Sequence, residues 1–210
     1  VYDEHFDNYP ISLSLDILFG KPPKSSRSFT TKKKDFGELN IPGDDLEQLL
    51  FKVLRHPTVA SKNFLITIGD RTVTGLINRD QLVGPWQVPV SDYAMTRSGF
   101  TGNSGEAMSI GERTPSAILN PAAAARISVA EAVTNILPSG VSRLSDIKLS
   151  ANWMGSPGKL NGNEDLFDAV QAIGMELCPE WNMTIPVGKD SLSMSTEWSL
   201  DSQDKSVISP

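Results

Sequence analysis

Asn120-Pro121-Ala122-Ala123-Ala124-Ala125-Arg126-Ile127-Ser128-Val129-Ala130-Glu131-Ala132-Val133-Thr134-Asn135-Ile136-Leu137-Pro138 is the stretch that decides the fold. Asn directly before Pro reads as a helix start. The Asn side chain can accept from an orphan backbone N–H, and Pro at the first helical position gives up no hydrogen bond by lacking its own donor. The helix runs from Ala122 to about Leu137, where Pro138 and Gly140 stop it. Strand-like runs flank it: Val88 to Thr96 and Glu106 to Ile110 before, Ile147 to Met154 after. Asp165 to Leu177 then reads as a helix and Pro186 to Met194 as a strand. Helices separated by strands, with several strands adjacent, predict an α+β or α/β sandwich with helices covering one sheet face.

Working back from this core, Asp44 or Asp45 can cap a helix in which Leu46, Leu49, Leu50, Val53 and Leu54 form one apolar face, ended by Pro57. Phe64 to Ile68 reads as a buried strand, and Gly69 to Gly84 is punctuated by glycine. Ile11, Leu13, Leu15, Ile17 and Phe19 alternate with polar residues, the period of two of a half-buried strand. Residues 21–45 carry Pro22-Pro23 and Lys32-Lys33-Lys34 with few large apolar groups, the composition of an exposed connector. The lysine triplet could be a binding patch, but a solvated loop explains it with fewer assumptions. The organisation expected is a strand and connector over 1–43 and a packed domain over 44–210, cut short at its C-terminus, where Ser206 to Pro210 look like a strand beginning. A first residue other than Met adds to the expectation of a piece from a longer polypeptide.

Composition narrows the function classes. The chain has 210 residues, 19 Lys+Arg against 25 Asp+Glu, a net charge of -6, and 39% hydrophobic residues. With a pI of about 4.9 there is no general electrostatic attraction to nucleic acid or to an anionic membrane. No apolar run approaches the roughly 20 residues a bilayer span needs, and the acidic start is unlike a signal peptide, so a cytoplasmic location is expected. A single cysteine, Cys178, forms no internal disulfide, and with only His5 and His56 there is no Cys/His metal framework. Cys178, between Leu177 and Pro179, reads as a packed thiol, and Trp153, Trp181 and Trp198 as core or interface anchors. The catalytic residues are not identifiable from the sequence.

Three features could carry chemistry. Glu131 and Asn135, four residues apart, share one side of their helix and continue the stripe of Ala123 and Ile127. A carboxylate against a core needs a positive partner, and an oxygen-only Glu/Asn pair suits a hard divalent cation such as Mg²⁺. The alternatives are a rotated helix that leaves both in water, or pairing of Glu131 with Arg126 or Arg143, and periodicity by itself favours them. Asp92, inside the apolar Val88-Pro89-Val90-Ser91-Asp92-Tyr93-Ala94-Met95, is disfavoured by strand propensity and so is either an exposed strand end or a functional residue. Asp92, Glu131 and Asn135 would make a credible Mg²⁺ set beside a nucleotide. The third feature is Gly188-Lys189-Asp190-Ser191, which lacks the earlier glycine and Lys-Ser/Thr adjacency of a Walker loop and reads as a charged turn or an anion contact. Arg71 could similarly hold a phosphate or pair with Asp70.

Taken in order, Ala60-Ser61-Lys62, Gly69 to Leu76, Arg79 to Gln87, Gly105 to Glu112, Ala130 to Asn135, Leu149 to Met154 and Pro186 to Met194 closely resemble phosphoribosylformylglycinamidine synthases of the large, single-chain type. His5-Phe6-Asp7-Asn8 and Leu18-Phe19-Gly20-Lys21 resemble the interdomain stretch of the same family. The resemblance implies the N-terminal domain of the second of two aminoimidazole-ribonucleotide-synthetase-like repeats, preceded by its connector. It implies an α+β, ferredoxin-like sheet covered by helices, able to pair with its counterpart in the first repeat into a shared β-barrel. The activity implied is an ATP-dependent ligase of purine biosynthesis that converts formylglycinamide ribonucleotide and glutamine to formylglycinamidine ribonucleotide. The amide oxygen would be activated as an iminophosphate and displaced by ammonia from a glutaminase domain elsewhere in the enzyme.

By the same resemblance the second repeat holds ADP with magnesium in an auxiliary, structural role. The magnesium ligands carry over to Asp92, Glu131 and Asn135, and Ser91 matches a nucleotide-contacting position, where relatives carry Ala and the contact is expected through the backbone. The implied cofactors are Mg²⁺ and ATP/ADP, and the implied partners are the other domains of the enzyme, with no nucleic acid and no membrane. Alternatives are an architectural module without ligand and a selenophosphate-synthetase-like kinase, the latter unsupported by the Leu149–Met154 and Pro186–Met194 motifs.

Overall fold

The computed structural model describes residues 1–21, 24, 26–30, 35–38, 45–69, 75–159 and 162–208. Lys32-Lys33-Lys34, the alternative cap Asp44, the pair Asp70 and Arg71, and the last two residues lie outside them. The architecture is mixed α+β, with the strands of the described residues distributed over three small sheets. The antiparallel sheet is built from β1 (Ile77–Arg79), β2 (Tyr93–Arg97) and β3 (Gly105–Ser109) in the order β1-β2-β3. β4 (Lys148–Met154) and β5 (Thr184–Ser191) form a parallel pair, and β6 (Ser195–Leu200) and β7 (Gln203–Ile208) an antiparallel hairpin. Among the described residues no helix is long and apolar enough to cross a membrane.

The capped helix is present as read: α5 (Pro121–Ile136) begins where the Asn120 side chain accepts from the Ala123 N–H at 2.9 Å. It ends in a short 3₁₀ turn, Leu137–Ser139, closed by Gly140 at φ 93, a left-handed conformation that glycine adopts without steric cost. α5 buries Ala124, Val133 and Ile136. Val133 and Ile136 join Ile147 and Met183 in one cluster, and Ile173, Leu177 and Cys178 form a second. Val129, Leu149 and Trp181 touch both clusters, so β4 and α5 share one apolar seam. Burial of such side chains contributes roughly 1.5–3 kcal/mol each, which makes this seam the main source of cohesion. α6 (Gly162–Gln171) continues as a π-helix, Ala172–Leu177, and a last turn, α7 (Cys178–Glu180), and the Arg126 guanidinium meets Glu176 across to α5. The connector rests on α6: Asn163 Nδ2 donates to the Ser28 carbonyl at 3.1 Å, and the Phe29 and Phe167 rings lie 4.6 Å apart.

Four segments differ from the sequence reading. Ile11 to Phe19 is no strand; Leu15–Phe19 forms a short exposed helix, α1, preceded by extended backbone. An alternating pattern becomes a strand only beside another strand, and none of the described residues pairs with it. Phe64 to Ile68 lies in a helix, α3 (Asn63–Ile68), because a short apolar run fits either period and the Gly69 N–H closes a helical turn on the Leu65 carbonyl. Its predecessor α2 (Leu46–Arg55) is capped by Asp45, whose carboxylate accepts from the Gln48 N–H at 3.0 Å. The strand expected from Val88 begins only at Tyr93, since Pro89 lacks a donor and residues 81–91 fold back through the Leu82–Val90 bridge. Finally, Lys189, Asp190 and Ser191 lie within β5 and not in a turn, with Lys189 Nζ donating to Ser191 Oγ at 3.2 Å. β5 starts before Pro186, and the ladder to β4 shifts register there, which accommodates the missing proline N–H.

Candidate functional site

The exit of β3 lies along α5 and is tied to it at successive residues. Ser109 Oγ donates to the Ala132 carbonyl at 2.6 Å, Asn135 Nδ2 donates to the Ile110 carbonyl at 3.1 Å, and the Glu112 N–H donates to Glu131 Oε2 at 3.2 Å. Between them Gly111 sits so close to the helix that a Cβ would be 1.9 Å from the Ser128 carbonyl oxygen and 2.7 Å from the Ala132 nitrogen. Only glycine allows that approach. Glu131 and Asn135 are thus held on a half-buried flank of α5, while the helix turns Ala124, Val133 and Ile136 to the interior. The stripe expected to be apolar is this flank: Ile127 on it is 45% exposed.

The positive partner of Glu131 is neither Arg126 nor Arg143. Arg126 pairs with Glu176, and Arg143 pairs with Asp146, which holds its guanidinium pKa above the ordinary value through their hydrogen bond. Arg113 Nη1 instead lies 2.8 Å from Glu131 Oε2, and the same nitrogen donates to the Glu112 carbonyl at 3.0 Å. Glu112 turns its own carboxylate onto the Thr114 N–H at 2.7 Å. Hydrogen bonds from the Thr114 side chain and backbone hold its pKa below the ordinary glutamate value, against a small opposing effect of burial.

Asp92 precedes β2 directly. Tyr93 is the register partner of Ser109, and extending the antiparallel register by one residue sets Asp92 opposite Ile110, the residue whose carbonyl Asn135 holds. The Asp92 side chain is exposed and makes no hydrogen bond or ion pair with the described residues. Ser91 Oγ donates to the Tyr93 carbonyl at 2.7 Å and the Ser91 N–H to the Gln81 carbonyl at 2.7 Å. Beside it the Arg79 guanidinium lies 5.2 Å from the centre of the Tyr93 ring.

Topology therefore brings the flank of α5, the exit of β3 and the entry to β2 to one end of the sheet, with no direct bond from Asp92 to Glu131 or Asn135 among the described residues. No three His, Cys, Asp or Glu side chains of the described residues converge, so a metal site here would be completed by amide, backbone, water or phosphate oxygens. The set of two carboxylates and one amide has that composition, and all its donors are hard oxygens. Asn135 uses its amide nitrogen on Ile110, and its Oδ1 has no partner among the described residues. The Arg113–Glu131 pair is partly exposed, with side chains at 42% and 27%, and such pairs contribute only about 0.2–1 kcal/mol, a small barrier to a divalent ion. The residue types fit a magnesium ion.

Gly111 and Arg113 are the residues of this candidate site that sequence reading missed. A glycine at the exit of a strand signals close backbone approach, but which helix approaches it is a tertiary fact. An open hollow of about 210 Å³ lined by Ser193, Met194, Ser195, Thr196 and Val207 shares no residue with this end of the sheet. In comparison with known families, residues 61–210, most of the chain, match the FGAR-AT PurM_N-like domain.

Proposed function

Because the chain belongs to the FGAR-AT PurM_N-like domain family, we propose that it is the N-terminal domain of the second synthetase repeat of a phosphoribosylformylglycinamidine synthase and contributes an auxiliary Mg·ADP site. Residues 1–43 then act as connector and 44–210 as the domain; the family match beginning at residue 61 is consistent with a boundary upstream of it. The intact enzyme is an ATP-dependent amidoligase, with glutaminase and catalytic nucleotide sites in its other domains.

The observation that supports the site is the tie between Asn135 and Ile110, which gives the helix flank a fixed position beside the entry to β2. In this reading Asp92, Glu131 and Asn135 hold the cation and Ser91 meets the nucleotide through its backbone. Magnesium, when bound, neutralises diphosphate charge that two carboxylates would otherwise repel. The chain's own residues bind and orient; none of them is assigned a bond-breaking role. The outer face of β2 and β3 supports pairing with a counterpart domain into a barrel. It carries Met108 at 55% exposure and, just past the strand, Ile110 at 81%, large apolar groups that a partner sheet would cover.

A second reading has its own observation: Glu131 braces the segment after β3 through the Glu112 N–H and Arg113, as a purely architectural residue would. Melting the chain with ADP and Mg²⁺, against ADP with a chelator, separates the two. A ligand at 100 times its Kd stabilises by about 2.7 kcal/mol, so melting should rise by about 5–11 °C and Glu131→Ala should abolish the gain. An unchanged melting temperature in both proteins favours the architectural reading.

A further inference from the structure

We propose that Arg113 is a counter-ion switch: its guanidinium holds Glu131 while the cation is absent and turns to the diphosphate when Mg²⁺ arrives. This rests on the reading that Glu131 is a magnesium ligand, and it assigns a ligand-binding role to a residue outside the metal set.

The geometry has three parts. First, Glu131 is engaged through one oxygen only: Oε2 takes both Arg113 Nη1 at 2.8 Å and the Glu112 N–H at 3.2 Å, while Oε1 has no partner among the described residues. A cation approaching Oε1 therefore meets an oxygen without a partner among the described residues, with a guanidinium on the neighbouring oxygen. Like charges at that separation repel, and the side chain is the part free to yield. Second, the backbone cannot yield. Residues 109–112 are pinned to α5 by Ser109, Asn135, Glu131 and the close approach of Gly111, so release of Arg113 moves a side chain and not the strand exit. Third, the released group is an arginine with a 42% exposed side chain. Its planar fork presents five N–H donors that match phosphate oxygens, a match that a lysine ammonium makes only as a point charge. Metal and diphosphate arrive together, so the group displaced by one is delivered to the other.

The test is calorimetric titration of the 210-residue chain with Mg²⁺ alone, and then with ADP at saturating Mg²⁺, for the wild type, Arg113→Gln, Arg113→Lys and Glu131→Gln. Removing the competitor should tighten Mg²⁺ binding by about 2- to 5-fold in Arg113→Gln, while ADP binding weakens roughly tenfold. Arg113→Lys, which keeps the charge, should restore wild-type Mg²⁺ affinity and only part of the ADP affinity, and it serves as the informative variant if the glutamine form does not fold. A structural ion pair has no reason to move the two affinities in opposite directions. Affinities that shift together in Arg113→Gln, or an unchanged ADP affinity, would overturn the switch while leaving the cation reading intact. Wild-type Mg²⁺ affinity in Glu131→Gln would instead remove the cation from Glu131, and the switch with it.

Discussion

Asn135 donates its side-chain amide to the carbonyl of Ile110 at 3.1 Å, and by that bond the flank of α5 is fixed to the residue standing opposite Asp92 in the extended register of the sheet. The bond also orients the amide, because an Asn whose nitrogen is committed to one acceptor presents its oxygen on the other side. The same contact thus acts in stability and in the proposed ligand set.

Asn135→Ala removes that tether and leaves the Ile110 carbonyl without its partner. A lost hydrogen bond of this kind costs about 1 kcal/mol, so thermal melting without ligand should fall by about 2–4 °C. An unchanged melting temperature would show that the tether does not hold the strand exit.

Gly111→Ala should be more damaging, because its new methyl group would overlap the Ser128 carbonyl oxygen at 1.9 Å and the Ala132 nitrogen at 2.7 Å. These are backbone atoms of a packed helix and cannot rotate away. Overpacking of this kind costs typically 1–3 kcal/mol, which for a chain of this length lowers melting by roughly 2–12 °C. Wild-type stability in this variant would refute the close docking of β3 on α5.

Glu112 gives the segment a pH dependence with a definite sign. Its Thr114 hydrogen bonds favour the carboxylate in the folded chain, so the folded pKa lies below the ordinary value of 4.5. As pH falls the unfolded chain takes up the proton first. The stabilisation is therefore complete above the ordinary value and is lost as pH drops through the folded one. Melting of the wild type and Glu112→Gln should differ at neutral pH and converge in acid; a difference that instead grows in acid contradicts the assignment.

Cys178 is 5% exposed, and burial raises its thiol pKa, so both access and thiolate fraction are low. A disulfide reagent should label it on the order of a hundredfold more slowly in buffer than in denaturant. Rapid stoichiometric labelling of the native chain would place the thiol outside the second core cluster.

What could be read from the chain was what local chemistry determines. Asn120 and Asp45 cap their helices through side-chain oxygens three residues from their targets, and both caps are present. The run Ile147 to Met154 reads as a strand, and β4 spans Lys148–Met154 with Leu149 and Trp153 against the core. Period alone failed where a neighbour decides the outcome: Ile11 to Phe19 has the pattern of a strand without a partner among the described residues, and Phe64 to Ile68 is too short to tell a strand from a helix turn. The candidate site divides in the same way. That Glu131 needs a positive partner followed from burying a carboxylate, but the partner proved to be Arg113 because β3 returns along α5, a relation no spacing encodes. Gly111 was hidden for the same reason.

The central claim is that one divalent ion is held jointly by Asp92, Glu131 and Asn135. A crystal structure of the chain grown with ADP and Mn²⁺, located by its anomalous scattering, tests it most directly. The account predicts a single peak about 2.0–2.3 Å from oxygens of all three side chains and beside the diphosphate, with Arg113 turned from Glu131 to a phosphate oxygen. A peak coordinated elsewhere, or Arg113 still on Glu131 with no ion between these side chains, would contradict it.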